Sequence, residues 1–412
     1  VQNKFKTKIF NDPIYGFITV NDPIIFKLIE HPYFQRLRRI RQLGLTHMVY
    51  PGALHTRFHH AMGATYLMGE AIETLRDKGI EITPHEEFSA KAAILLHDIG
   101  HGPFSHALEN SIVKNVNHEF ISDLIMSELN NELNGSLTTA IQIFNNTYSK
   151  PFLHQLVSGQ LDVDRLDYLN RDSFYTGVSE GVISWDRIIK TLNVCNDKLV
   201  VDSKGIYSIE KFIIARRLMY WQVYLHKTVL AAEHLLVKIL KRAKYLIANN
   251  HPLFATPALN FFLSNNFTEL DFKDNPNILK TFTNLDDNDI YASIKVWQTD
   301  TDFVLATLCK NLINRNLFKI ELQNQPFNSN RIQALLKQAS QRNQLSENEA
   351  EYFVFTDSIK NSAYNPQNEK INILQKDGSL LDIAQASDQL NIQVLSNTVE
   401  KFFLCYPKDL II

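Results

Sequence analysis

One stretch constrains this chain more than any other: Ala92-Ala93-Ile94-Leu95-Leu96-His97-Asp98-Ile99-Gly100-His101-Gly102. Three consecutive aliphatic side chains, Ile94, Leu95 and Leu96, predict a helix over 86–98 that is buried nearly all round. That helix delivers an imidazole and a carboxylate, His97 and Asp98, to its own end. Gly100 suits a left-handed position just past a helix, and Pro103 keeps the helix from resuming. Polar side chains at a buried helix end need partners. A lone His-Asp pair reads best as a satisfied polar turn. This pair has company: His55, His59 and His60 lie upstream, His101, His106 and His118 downstream, and an acidic helix follows with Asp162, Asp164, Asp167 and Asp172. That clustering points to a shared metal ion.

At 412 residues the chain exceeds one small core and predicts a large domain with a smaller one appended. Lys plus Arg number 42 against 44 for Asp plus Glu, so bulk charge does not favour sequence-independent nucleic-acid binding, although a local basic funnel stays open. Cys195, Cys309 and Cys405 are far apart and lack CxxC spacing, which fits a reduced cytoplasmic setting. No stretch reaches the ~20 apolar residues of a membrane span, and the N-terminus carries no apolar signal core. A soluble protein with no membrane partner is expected.

In chain order, residues 6–20 suit a hairpin around Asn11-Asp12-Pro13, and 22–43 read as helical. Arg36, Arg38, Arg39 and Arg41 in that segment fit a solvated basic face and a phosphate site about equally. A helix over 60–77 carries Ala61, Gly63, Ala64 and Gly69, which permit close packing. Just ahead of it, Arg57-Phe58-His59-His60 leaves open which imidazole is a ligand. In the helix over 162–172, Asp164, Arg165, Tyr168 and Asp172 fall within about 100° of arc, with Leu166 and Leu169 off that face. Residues 208–248 read as mostly helix with Ser208 as N-cap. Arg216, Tyr220, Tyr224 and Lys227 then share one stripe, which could line a cleft for a phosphorylated ring compound or form an ordinary amphipathic surface. Shorter helices follow to 315, with an Asn/Asp-rich loop at 273–289. Beyond it, alternating segments at 317–322, 351–355 and 370–374 predict strands, with a helix over 331–342. The expected architecture is mainly α: a catalytic core over 1–250, a helical extension over 251–315, and a small α+β region over 316–412.

Two imidazoles and two carboxylates from three helices, His60, His97, Asp98 and Asp164, make a mixed N/O site. Such a set suits Fe, Mn, Zn or Mg with open water positions, and the missing cysteines argue against a closed structural zinc. A divalent metal there can polarise a phosphoryl oxygen and activate water. His101, His106, His118 and Glu109 could supply general acid or base. Arg57, Arg165, Arg216 and Lys227 would hold a polyphosphate.

The His60…His97-Asp98…Asp164 pattern resembles that of the HD-domain phosphohydrolases. Further segments are similar to the dNTP triphosphohydrolases of that group: Asn11-Asp12-Pro13-Ile14, Phe34-Gln35-Arg36-Leu37-Arg38, Gln42-Leu43-Gly44, Pro51-Gly52-Ala53, Arg57-Phe58, His97 through His106, Asp162-Val163-Asp164-Arg165, and Tyr224 with His226-Lys227. The similarity covers about residues 5–245. It implies an all-α core that cuts dNTPs to deoxynucleoside and triphosphate, with His60, His97, Asp98 and Asp164 as metal ligands. His106 and His118 would lie near the α-phosphate, Arg57, Arg165, Arg216 and Lys227 near the phosphates, and Asp162 among the substrate-binding residues. Gln42, Tyr168 and Asp172 would meet the sugar 3′-OH, Leu43 and Tyr224 would face the sugar, and Tyr220 would line the base side. Departures are Glu109 for an aspartate, Arg165 for a lysine and Tyr220 for a histidine. Lys8, Asn11, Gln35 and Arg38 match part of the family's activating-nucleotide site in a homo-oligomer, a dimer or tetramer, and Glu30 replaces an aspartate there. Two other functions fit the same residues. One is a different HD phosphohydrolase, a nuclease or nucleotide phosphodiesterase; the other is a nucleotide-binding regulatory protein without activity.

Overall fold

The computed structural model describes residues 6–104, 111–113, 115–367, 369–388, 392 and 397–410. Two antiparallel strands, Lys8–Asp12 and Gly16–Val20, open the chain. Asp12 closes their turn, accepting from the amides of Ile14 and Tyr15 at 2.9 and 3.0 Å. Helix Pro23–Glu30 follows, capped by Asp22. The expected second helix of this segment is shorter, Pro32–Gln35 with a 3₁₀ turn over Arg36–Arg39. The arginines explain why. Arg36 is fully buried and donates to the carbonyls of Ile99 and Leu285. Arg39 pairs with Asp286, and Arg41 donates to Tyr291. Three of the four thus tie this segment to later chain.

Three helices build the centre. Helix Arg57–Asp77 packs against both Pro84–Leu96 and Val163–Thr176. Its start is set by Thr56, whose amide and hydroxyl meet His59 Nδ1 in a capping box. Thr83 and Glu86 cap Pro84–Leu96 in the same way, and Ala92 through Leu96 are wholly buried. His97 is the C-cap, so His97 and Asp98 sit just past the helix. Gly100 does not adopt a left-handed conformation. A Cβ there would lie 2.2 Å from the His118 carbonyl oxygen, so Gly100 is needed for close approach of helix His118–Glu132.

The long helix expected over 208–248 is broken. Helix Ile206–Met219 starts two residues before Ser208, behind Gly205, and passes into a wide π-type turn over Tyr220–Tyr224. Leu225 leaves the helix, and Lys227–Ala248 restarts with His226 as cap. Tyr220 and Tyr224 therefore lie on a turn, and Lys227 begins a new helix. Residues 273–289 are also largely helical, within Glu269–Asp274, Pro276–Phe282 and Asp287–Trp297. Their Asn and Asp residues act as caps, Asn275 and Asp286 above all.

Strands Leu192–Cys195 and Lys198–Asp202 form a hairpin that sequence reading missed. Asn372–Leu374 joins it in parallel and pairs with Leu380–Asp382. A second sheet places Val399–Tyr406 between Lys319–Gln323 and Phe355–Asn361. Residues 351–354 are a turn after helix Glu347–Ala350, so the strand expected there begins only at Phe355. No helix of the described residues is long and apolar enough to cross a membrane.

Candidate metal centre

The three central helices each present a ligand-type side chain at one end. His60 lies in the first turn of Arg57–Asp77, His97 caps Pro84–Leu96, and Asp164 lies in the first turn of Val163–Thr176. One donor atom from each falls within 4.8 Å of the others. His60 Nε2 is 3.0 Å from Asp164 Oδ1, and His97 Nε2 is 3.6 Å from the same oxygen. His59 is engaged in the cap, and His60 points inward to the cluster.

Both imidazoles are oriented from behind. His60 Nδ1 meets Asp167 Oδ2 at 2.7 Å, and His97 Nδ1 meets the Ile94 carbonyl at 2.6 Å. Each contact places the proton on Nδ1 and leaves the Nε2 lone pair facing the cluster. Neither Nε2 has a hydrogen-bond partner, although both are buried. Two orphaned imidazole nitrogens beside a carboxylate fit a divalent cation. The electrostatics agree. Burial opposes charge on His60, yet Asp164 and Asp167 outweigh it and lift its pKa to about 10. The field that holds a proton there would also hold a cation.

Asp98 sits between two groups. Its Oδ2 is 3.9 Å from His60 Nε2 and 2.5 Å from Arg57 Nη1, while Oδ1 is 3.3 Å from His97 Nε2 and 3.4 Å from His101 Nε2. Asp98, His101 and His118 form a second set with donor atoms within 4.8 Å. The His101 and His118 rings stack 3.7 Å apart. Burial, followed by the Arg57 charge, drives the His101 pKa well below its usual value, so that ring stays neutral. His106 and Glu109 lie outside the described residues. A cavity of about 630 Å³ opens at His97, Asp98, His118 and Asp164.

Further along helix Val163–Thr176, Tyr168 faces Arg165, Arg216 and Tyr220, and its ring meets Tyr224 edge-on at 6.1 Å. Asp172 is buried, accepting from Tyr224 Oη at 2.8 Å and meeting His55 Nε2 at 2.7 Å. Arg165 donates to Asp162 and to the Gly159 carbonyl. Arg216 Nη1 donates to the Ala363 carbonyl at 3.2 Å, while its buried Nε has no partner. Gln42 Oε1 is likewise buried without one, Leu43 packs against the core, and Lys227 is exposed. In the N-terminal segment, Lys8 lies over the Phe26 ring at 5.1 Å and Arg38 donates to Gln35 at 2.9 Å, while Asn11 and Glu30 are exposed.

The HD domain family matches residues 57–172, and its HD associated region matches 183–251. An uncharacterised Bacillus subtilis protein, YwfO, is 32% identical over 98% of this chain and 93% of its own length. The chain belongs to the HD-domain phosphohydrolases. A solved phosphohydrolase from Bacteroides thetaiotaomicron shares this HD fold with a TM-score of 0.94 and 55% identity, covering 97% of this chain and all of that one. The Dictyostelium discoideum deoxynucleoside triphosphate triphosphohydrolase SAMHD1 homolog is 30% identical over 76% of this chain and 60% of its own.

Arg171 is a site-supporting residue that sequence reasoning did not name, and Asp167, Asp12 and His55, though named, carried no supporting role there. A signal existed for one pair: Asp167 and Arg171 stand four apart on a helix, the spacing of a facing ion pair.

Proposed function

We propose that this HD-domain phosphohydrolase cleaves dNTPs to deoxynucleoside and inorganic triphosphate, with one divalent metal held by His60, His97, Asp98 and Asp164. One observation carries the reading. Asp164, Tyr168 and Asp172 occupy successive turns of a single helix face, about 12 Å long, running from the cluster to the buried Asp172. A phosphate at the first and a sugar at the last spans that face. The name of the Dictyostelium relative supports the same substrate class.

When bound, the metal would polarise a phosphoryl oxygen and lower the pKa of bound water. His101, kept neutral, is available as a general base. His118, stacked on it, handles the proton, with His106 and Glu109 as partners. Arg57, Arg165, Arg216 and Lys227 hold the phosphates. Arg216 now donates to a neutral carbonyl, which charged phosphate oxygens outcompete, while Arg165 is held beside the carboxylate of Asp162. Gln42, Tyr168 and Asp172 bind the 3′-OH, Asp162 fixes Arg165, and Tyr220 faces the base. Lys8, Asn11, Glu30, Gln35 and Arg38 take an activating nucleotide in a dimer or tetramer.

The test incubates the protein with each of four dNTPs and four NTPs and separates the products. Deoxynucleoside plus triphosphate is expected; orthophosphate or nucleoside monophosphate in their place would overturn the assignment. Leu43 and the Tyr224 ring press on C2′, so a ribose hydroxyl is left unpaired at about 1–3 kcal/mol. In dATP against ATP competition, dATP is then favoured ~5–150-fold, and Leu43→Gly erases most of that preference.

A further inference from the structure

A line of buried charges runs from the metal cluster to the N-terminal hairpin. Its first link is the 2.7 Å contact between His60 Nδ1 and Asp167 Oδ2. Arg171 clamps that carboxylate in a fork, Nε to Oδ2 and Nη2 to Oδ1, both at 2.9 Å. The remaining nitrogen, Nη1, donates to Asp12 Oδ2 at 2.8 Å. Asp12 Oδ1 in turn accepts the two amides that shape the hairpin turn. His60, Asp167 and Arg171 have no exposed surface, and Asp12 is 8% exposed.

The fold makes room for this line. A Cβ on Gly63 would lie 2.1 Å from both Arg171 Nη2 and Asp167 Oδ1, so only glycine admits the fork at that point of helix Arg57–Asp77. Tyr15, three residues beyond Asp12, lays its ring over the guanidinium at 5.6 Å. Buried ion pairs are a poor way to gain stability, because desolvation offsets their attraction. A forked arginine does, however, fix the plane of a carboxylate. Here the fixed carboxylate is the one that orients His60.

We propose that Asp12 is a positioning residue for the metal centre. From the hairpin turn it holds Arg171, Arg171 holds Asp167, and Asp167 holds the His60 ring with Nε2 aimed at Asp164. Docking of the N-terminal hairpin and metal affinity are thereby coupled across 159 positions of sequence. The inference rests on the metal site proposed above.

The test titrates metal-free protein with Mn²⁺ and reads the free ion by electron paramagnetic resonance. Direct partners of a ligating imidazole govern affinity by about 10–100-fold, and Asp12 acts two links farther out, so Asp12→Asn weakens Mn²⁺ binding at the low end of that range, about tenfold. Asp302→Asn breaks a different buried pair, Arg242 with Asp302. It lowers the melting temperature and leaves Mn²⁺ affinity unchanged, which separates positioning from general loosening. If Asp12→Asn does not fold, Arg171→Lys keeps a cation beside Asp167 while losing the fork and the contact with Asp12, and carries the same expectation. Mn²⁺ affinity within twofold of wild type in a folded variant overturns the inference. Wild-type protein that binds neither Mn²⁺, Zn²⁺ nor Fe²⁺ overturns the metal site itself.

Discussion

His60 and His234 are both largely buried histidines on helices, and the protein drives them in opposite directions. Around His60 the charges of Asp164 and Asp167 overcome burial and raise the pKa to about 10. His234, on helix Lys227–Ala248, faces the C-terminal sheet with its ring 4.6 Å from Phe403, and burial carries it down to about 4. The first region is organised by charge. The second is organised by volume, and strand Val399–Tyr406 shows how. Phe403 and Cys405 enter the main core, while Leu404 and Tyr406 enter a second cluster with Leu335 and Ala339. Removing a side chain near His60 strands a buried charge, whereas removing one from the strand opens a hole.

The sharpest way to break this contrast is Asp164→Ala. Asp164 is the one ligand candidate contributed by its helix, so the variant is expected to lose both bound metal and hydrolysis while far-ultraviolet dichroism stays unchanged. Metal content by elemental analysis and the product assay check it, and wild-type values of both would sink the assignment. Next comes His118→Ala. Turnover should fall ~10²–10⁴-fold with metal retained, the range for a lost proton-transfer group. A drop under threefold makes His118 a packing residue beneath the His101 ring.

Local pattern explains which parts of the molecule could be read in advance. The apolar run Ile94–Leu96 and the Asp162–Asp172 face were legible because helical periodicity and an adjacent His-Asp pair are written in consecutive residues. Asp12 and Arg171 were not, since their meeting depends on a hairpin docking against a distant helix. Gly100 has the sequence context of a left-handed cap, yet its real constraint is the nearby His118 carbonyl, a tertiary fact. Tyr220 through Tyr224 continue the helical pattern, and the widened turn there leaves no mark in side-chain spacing. Strand Val399–Tyr406 buries both faces, so the alternation that would have revealed it is missing.

For the volume-governed region, Leu404→Ala is the matching experiment. Leu404 is fully buried, and its truncation should cost about 2–5 kcal/mol in urea unfolding. Turnover per folded molecule should stay within twofold of wild type. A tenfold loss of turnover in fully folded protein would mean that the sheet and the metal cluster are not separable in this way.

The smallest effect expected is a pH dependence. Burial is the main influence on His234, with Asp357 pulling its pKa up and Lys238 and Lys241 pushing it down, and the balance is about 4. The unfolded chain protonates the same ring near pH 6.5. Below that pH the unfolded state gains a proton that the folded state refuses until about pH 4, so this residue removes stability as the medium is acidified across that window. Between pH 7.5 and pH 5 the loss amounts to about 2 kcal/mol. His234→Phe keeps an aromatic ring against Phe403 and Phe355 and has nothing to protonate. The stability of His234→Phe relative to wild type, from urea midpoints at pH 7.5, 6 and 5, should therefore rise steadily toward acid. His60 predicts the reverse for metal-free protein: its contribution is full below about pH 6.5 and fades toward pH 10. A wild-type-minus-variant difference that does not change with pH would show that folded His234 takes up its proton at the same pH as the unfolded chain, and that the C-terminal seam does not exclude charge after all.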